Sequence, residues 1–330
     1  MKQIALILLT AALFPTILPA QVAGTERDRS GSGAMSHEQL ALEPFTYELD
    51  IPYADDGNPR QRLDLYRPKK PEREMLPVIV FVHGGAWMQG NKSDGARRLI
   101  PFVRTGKYAG VSIGYRLSGE AIWPAQIHDC KAAIRWVRAN AAKYGLDPEG
   151  IGVWGTSAGG HLVLMLGTSG DVAKLEGNVG PQTGVSSKVS AVANFFGPSD
   201  LLAMIGQPSN IDRTGPDAPE ALLIGGRLSD NPEKAKEASP ITYVTRNDPP
   251  VLTVHGNRDR IVPYDQGVRM HRALKEVGVK SYFVTVEGGG HGNFGTAADG
   301  RVKAFFDRYL RGKNVTISTA PIKRPFGPPR

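Results

Sequence analysis

What most limits the fold of this chain is an alternation: short apolar runs of strand length are separated repeatedly by longer stretches with helical periodicity. Residues 46–51 and 62–66 read as opening strands on either side of the turn Asp55-Asp56-Gly57-Asn58. Residues 78–82 form a continuous apolar run, as expected of a strand buried on both faces. A charged helical stretch at 93–103 precedes a strand at 110–115. The strongest helix signal is 124–144, where Ile127, Ala133, Ile134, Val137 and Ala141 make the apolar stripe and Lys131, Arg135 and Arg138 are expected largely outside. Strands at 151–154, 189–195, 251–254 and 282–286 follow, interleaved with helices at 158–167, 264–277 and 301–310. This spacing predicts an α/β fold with a mostly parallel central sheet and helices on both faces. In such sheets ligands bind beyond the carboxyl ends of the strands, which directs attention to the loops after Val82, Trp154, Val254 and Val286.

The loop after Trp154 reads Gly155-Thr156-Ser157-Ala158-Gly159 and opens a helix. In a G-x-S-x-G turn the serine sits on a strained strand-to-helix corner, and the glycines let neighbouring backbone pass where a Cβ would clash. A second match, Gly110-Val111-Ser112-Ile113-Gly114, lies inside a strand and starts no helix, so Ser112 reads as structural. A serine nucleophile needs a base. Of the seven histidines, His37 lies in a polar leader, and His128 and His271 lie on helices. His161, one turn past Ser157, is expected to pack beneath it, and His83 and His255 stand at strand ends before glycine, where turn-stabilising roles suffice. His291 lies in Gly288-Gly289-Gly290-His291-Gly292, a loop able to carry an imidazole over neighbouring strand ends. Asp259, after the preceding strand, is the natural carboxylate to orient it. Asp129 reads instead as a structural charge near Arg135. Finally, His83-Gly84-Gly85-Ala86-Trp87 follows the buried strand 78–82. The amides of Gly84 and Gly85, with that of Ala158, can face a developing oxyanion. Trp87 beside them either lines a substrate pocket or packs in the core.

With its order Ser157, Asp259, His291, this set resembles an α/β-hydrolase-fold serine esterase with an HGG oxyanion loop. Tyr115-Arg116-Leu117, the segment Asp129-Cys130-Lys131-Ala132-Ala133-Ile134-Arg135-Trp136-Val137-Arg138, His255-Gly256 and Val262-Pro263 extend the likeness over about residues 60–312. They resemble the group related to bacterial bifunctional feruloyl and acetylxylan esterases and, more broadly, the hormone-sensitive-lipase-like carboxylesterases. The resemblance implies Ser157, Asp259 and His291 as catalytic triad, Gly84, Gly85 and Ala158 as oxyanion hole, and no metal or organic cofactor. It also implies a small-molecule or polysaccharide-linked ester, acetyl or feruloyl, as substrate. A histidine base works only when neutral, so activity is expected to fall below roughly pH 6–7. Two rival readings share parts of this pattern. A serine peptidase or aminopeptidase of the same fold would use the same residues, and a non-catalytic carbohydrate-binding module would be expected to lose one of them.

The ends differ from the body. Lys2, the apolar run 4–18 broken by Pro15, and Leu18-Pro19-Ala20 predict a signal peptide over 1–20, hence a secreted or periplasmic protein without a stable membrane anchor. Residues 21–43 read as a flexible polar leader. The catalytic domain is expected over 44–312, with a small cap or insertion region, the variable segments about 170–188 and 201–240, building the substrate pockets. Residues 313–330 read as a basic, Pro-rich tail. The net charge of +8 misleads until divided: five of the excess positive charges lie in 311–330 and one is Lys2, leaving +2 for the rest. A nearly neutral body with no basic-aromatic motif argues against a nucleic-acid partner. The single cysteine, Cys130, excludes an internal disulfide and a cysteine-caged metal.

Overall fold

A computed structural model describes residues 43–292 and 294–323. The expected signal peptide, the leader up to Leu42 and the last seven residues lie outside it. Among the described residues, nine strands make one sheet: β1 (Phe45–Pro52), β2 (Arg62–Pro68), β3 (Leu76–Val82), β4 (Ala109–Ile113), β5 (Leu146–Thr156), β6 (Ala191–Phe195), β7 (Val251–Gly256), β8 (Ser281–Glu287) and β9 (Ile322–Lys323). Their spatial order is β1-β2-β4-β3-β5-β6-β7-β8-β9. β2 pairs antiparallel with both β1 and β4, and all other neighbours are parallel. Parallel neighbours need long crossovers. The principal ones run through α1 (Ala96–Val103), α2 (Ala125–Ala139) with the short α3 (Ala141–Tyr144), α4 (Ala158–Thr168), α7 (Tyr264–Glu276) and α8 (Gly295–Tyr309). Two six-residue helices, α5 (Pro219–Ile224) and α6 (Pro232–Glu237), lie in the 201–240 segment.

Strand periodicity separates the two helical layers. Along β5, Trp154 packs edge-on against Phe102 of α1, with ring centroids 5.8 Å apart. On the same face a Cβ at Gly152 would come within 2.7 Å of the Phe306 ring of α8. Gly155, one residue out of phase, faces α4, where a Cβ would overlap the Gly159 carbonyl. The fully buried Val78, Val80, Val82, Val111, Ile151 and Val153 show why the central strands read as unbroken apolar runs.

Three expectations need correction. Lys131 and Arg135 are buried, at 0% and 1% exposure. The 170–188 segment folds over α2 and brings Glu176 between them, with Lys131 Nζ 2.6 Å and Arg135 Nη1 3.3 Å from its carboxylate. Asp129 is structural, but it pairs with Arg116 (2.7 Å) and Gln61 (2.8 Å) rather than with Arg135. The chain also stays in the fold beyond Gly312: Ile317 and Ile322 are buried, and Ile322 pairs with Val286 as β9 joins the sheet. Two isolated isoleucines carry no periodicity, so this strand left no pattern to read.

Candidate active site

Every loop expected to matter lies at the carboxyl edge of β3, β5, β7 or β8. Ser157 follows β5 directly at φ 55°, a left-handed conformation that costs a non-glycine residue roughly 1–2 kcal/mol. The corner closes because its glycines permit close passage: a Cβ at Gly159 would overlap the carbonyls of Val82 and His83, and one at Gly160 would stand 2.6 Å from Asn194 Oδ1. The Ser157 amide donates to Phe195 O (2.9 Å), which ties the turn to β6.

His291 bridges the other two groups. Its Nδ1–H donates to Asp259 Oδ2 at 2.8 Å, which leaves Nε2 to accept from Ser157 Oγ at 2.9 Å. The loop carrying the histidine is clamped to the loop carrying the aspartate: the Arg258 amide donates to Gly289 O (2.8 Å) and the Gly288 amide to Asn257 Oδ1 (2.8 Å). Gly256 makes that possible, since a Cβ there would overlap the Gly289 carbonyl. Asp259 is itself fully engaged. Oδ1 accepts from the amides of Ile261 (2.8 Å) and Val262 (3.0 Å), and His255 Nε2 lies 3.3 Å from Oδ2. Burial alone would raise this carboxyl, but hydrogen bonds from His255 and His291 outweigh it and hold Asp259 well below the usual carboxylate range.

The loop 83–87 also rests on buried histidines. His83 stacks on Tyr115 (4.3 Å between centroids), donates from Nδ1 to Gly84 O (2.7 Å), and its own carbonyl accepts from Tyr115 Oη (3.0 Å). Burial pushes its pKa down to about 4, so it is neutral in the folded protein at pH 7. Beyond it, Gly85, Ala86 and Trp87 all adopt positive φ. Among the described residues, the amides of Gly84, Gly85 and Ala158 donate to no backbone carbonyl.

Trp87 does not line the pocket. It is 2% exposed, and its indole N–H donates to His161 Nδ1 (3.2 Å). His161 in turn donates from Nε2 to Ala238 O (2.6 Å), and burial lowers its pKa to about 4. These two residues form a strut between the loop 83–87 and the 201–240 segment. The remaining candidates stay structural: Ser112 is buried and donates to Lys92 O, and His271 Nδ1 lies 2.8 Å from Ser281 Oγ.

One residue of the site escaped the sequence reading. Phe196, at φ 43° just past β6, packs edge-on against the His291 imidazole at 4.5 Å. Its only signal was position, immediately after a strand whose loop carried no motif. The insertions also divide in a way not expected. The 201–240 segment reaches the site, since Arg213 donates to Ile261 O and the Leu223 carbonyl accepts from the Trp123 amide (2.7 Å). The 170–188 segment instead contacts α2, through Lys131, Arg135 and Arg138.

Sheet topology, elbow and strand-edge loops together define an α/β-hydrolase. The chain belongs to the BD-FAE family, whose model matches residues 63–274, and it is a carboxylic ester hydrolase. It is similar to esterase LipC of Mycobacterium tuberculosis, 30% identical over 298 residues that make up 88% of this chain and 70% of LipC. Esterase LipQ of the same organism is 35% identical over 230 residues, 69% of this chain and 53% of LipQ, so the match spans about half of that relative. Among solved structures, a truncated carbohydrate esterase from gut microbiota superposes with a TM-score of 0.76 at 35% identity, covering 82% of this chain and 98% of that one. A bifunctional GH43-CE protein of Bacteroides eggerthii gives 0.74 at 39% identity, over 80% of this chain and 35% of its own.

Proposed function

We propose that the protein hydrolyses acetyl or feruloyl esters of carbohydrates, or other short-chain esters, through a Ser157–His291–Asp259 triad and an acyl-enzyme. The observation that carries this reading is the pair of hydrogen bonds at His291, 2.9 Å to Ser157 Oγ and 2.8 Å to Asp259 Oδ2. As Ser157 Oγ attacks the ester carbonyl, Nε2 takes its proton and Asp259 stabilises the imidazolium. The amides of Gly84, Gly85 and Ala158 receive the negative oxygen, worth about 3 kcal/mol per donor at the transition state. Nε2–H then protonates the departing alcohol oxygen. A water, deprotonated by the same nitrogen, attacks the acyl carbonyl, and collapse returns the proton to Ser157 while releasing the acid.

The carbohydrate esterase among the structural neighbours supports a sugar ester as substrate. An apolar acyl group is supported by Met88, Ile122 and Ile261, large apolar side chains left 45%, 48% and 37% exposed. Met88 follows the oxyanion loop, Ile261 follows Asp259, and Ile122 lies against the 201–240 segment, where a Cβ at Gly225 would come within 3.0 Å of its Cδ1. The apolar run 4–18 behind Lys2 supports an exported enzyme, for which N-terminal sequencing of secreted protein should begin at Gln21.

A substrate panel tests the reading: p-nitrophenyl acetate, methyl ferulate, acetylated xylan and a long-chain triglyceride. Release of acetate or ferulate from the sugar-linked esters is expected. Cleavage of an aminoacyl anilide with no turnover of any ester would overturn it.

A further inference from the structure

On the α1 side of the oxyanion loop lies a cleft of about 370 Å³, lined by Phe81, Gly84, Gly85, Gln89, Gly90, Asp94, Arg97, Arg98 and Thr156. Its size suits a small-molecule fragment. It borders the catalytic elbow: Gly84 and Gly85 form part of its wall, a Cβ at Gly84 would lie 3.4 Å from the Ser157 Cβ, and Thr156 is the residue before the serine. Apart from Phe81 and the glycines, the side chains on this wall are polar or charged. That composition does not suit an acetyl or aromatic acyl group, but it matches a hydroxyl-rich leaving alcohol.

The charges are unevenly committed. Arg98 is held 5.6 Å above the Trp154 ring and 3.5 Å from Asp299 of α8. Arg97 is exposed and makes no ion pair among the described residues. Asp94 shares the cleft, but one of its carboxylate oxygens lies 3.4 Å from the Asn91 amide and closes the cap of a short 3-10 turn. Arg97 and Arg98 line the same cleft, their like charges oppose each other, and of the two it is Arg98 that is held against an acid. A planar guanidinium takes a carboxylate in two parallel hydrogen bonds.

We propose that this cleft holds the alcohol half of the ester and that Arg97, beside Arg98, recognises a carboxylate on it, so that the preferred leaving group is an acidic sugar, a uronic acid. The inference rests on the esterase reading given above. Arg97 is a specificity residue: it acts on the leaving group and takes no part in bond breaking.

The test uses the full-length enzyme and a matched pair, monoacetylated methyl glucuronide and monoacetylated methyl glucoside, with p-nitrophenyl acetate reporting on the acyl-transfer machinery. The expected kcat/KM ratio, glucuronide over glucoside, is about tenfold, narrowing as NaCl is raised to 0.5 M. Arg97→Gln is expected to bring the ratio close to one, and Arg97→Lys to restore part of it. Circular dichroism checks that each variant is folded. A wild-type ratio near one, with p-nitrophenyl acetate turned over normally, overturns the acidic-sugar proposal and leaves the esterase reading intact. An equal loss on both sugars in Arg97→Gln overturns it as well. A preference of similar size for p-nitrophenyl hemisuccinate, whose carboxylate is on the acyl side, combined with none for the glucuronide, would contradict the assignment of the cleft to the alcohol. Failure to hydrolyse all of these esters would count against the esterase reading itself.

Discussion

At Asp259 a carboxylate lies between two imidazoles, and at Glu176 in the 170–188 insertion another lies between Lys131 and Arg135. Asp259 is the hub of a buried polar cluster, Glu176 is a part-exposed carboxylate holding two buried cations, and each ties a loop to the body of the domain. They differ in what the partners can do next. Lys131 Nζ and Arg135 also donate to the carbonyls of Ser169, Glu176 and Val179, so that cluster is closed and holds charge in place. His291 instead has a second nitrogen that reaches a hydroxyl at the open edge of the sheet. A carboxylate bound to fixed cations stabilises structure; one bound to a titratable ring with a free face can move a proton.

That contrast predicts a double dissociation. The largest effect is Ser157→Ala, which should lower kcat/KM for p-nitrophenyl acetate by at least about 10⁴ while the thermal midpoint barely moves. Asp259→Asn should follow, about 10³–10⁴ in kcat, because the histidine loses the partner that fixes its tautomer. Glu176→Ala should do the opposite. With two buried cations left unpaired, the fold should lose roughly 2–4 kcal/mol, discounted for the part-exposed carboxylate. Calorimetry would register this as a drop of about 3–7 °C, with kcat/KM of the folded fraction kept. Loss of activity without loss of stability in Glu176→Ala would break the comparison.

Acid should weaken the scaffold before it reaches Asp259. His83 and His161 have folded pKa values near 4, below the unfolded value of ~6.5. The unfolded chain therefore takes up those protons first, so stability is complete above about pH 6.5 and declines toward pH 4, by up to about 1.4 kcal/mol per pH unit for each histidine. Asp259, shifted downward, contributes stability above about pH 4 that is lost only below it. Urea melts at pH 7 and pH 5 should show the first decline, and His161→Asn should flatten it. A wild-type melt unchanged between those pH values would contradict buried neutral histidines. The smallest effect expected is Trp87→Phe, which removes the hydrogen bond to His161 and should lower kcat about fivefold with little change in KM.

The layered sheet was legible because the central strands are buried on both faces and spell continuous apolar runs. The elbow was legible because its steric demands fall on neighbours in sequence: Gly155, Gly159 and Gly160 all serve one corner. Ser112 could be set aside on the same ground, since no helix follows it. What remained hidden depends on contacts between distant segments. Lys131 and Arg135 look like solvent-facing charges until the 170–188 segment folds over them. Phe196 meets His291 only across 95 positions of sequence, and α8 begins six residues before its expected start because Ala298 is too small to mark the stripe it belongs to. Trp87 beside two glycines suggested a pocket wall, and only its bond to His161 shows it to be a strut.

The most direct test of the account is covalent labelling of the native enzyme with a fluorophosphonate, read by intact mass and peptide mapping. One adduct per chain on the peptide containing Ser157, its appearance matching the loss of esterase activity and absent from Ser157→Ala, is the predicted result. An adduct on a different residue, or full ester turnover by the Ser157→Ala protein, would contradict it.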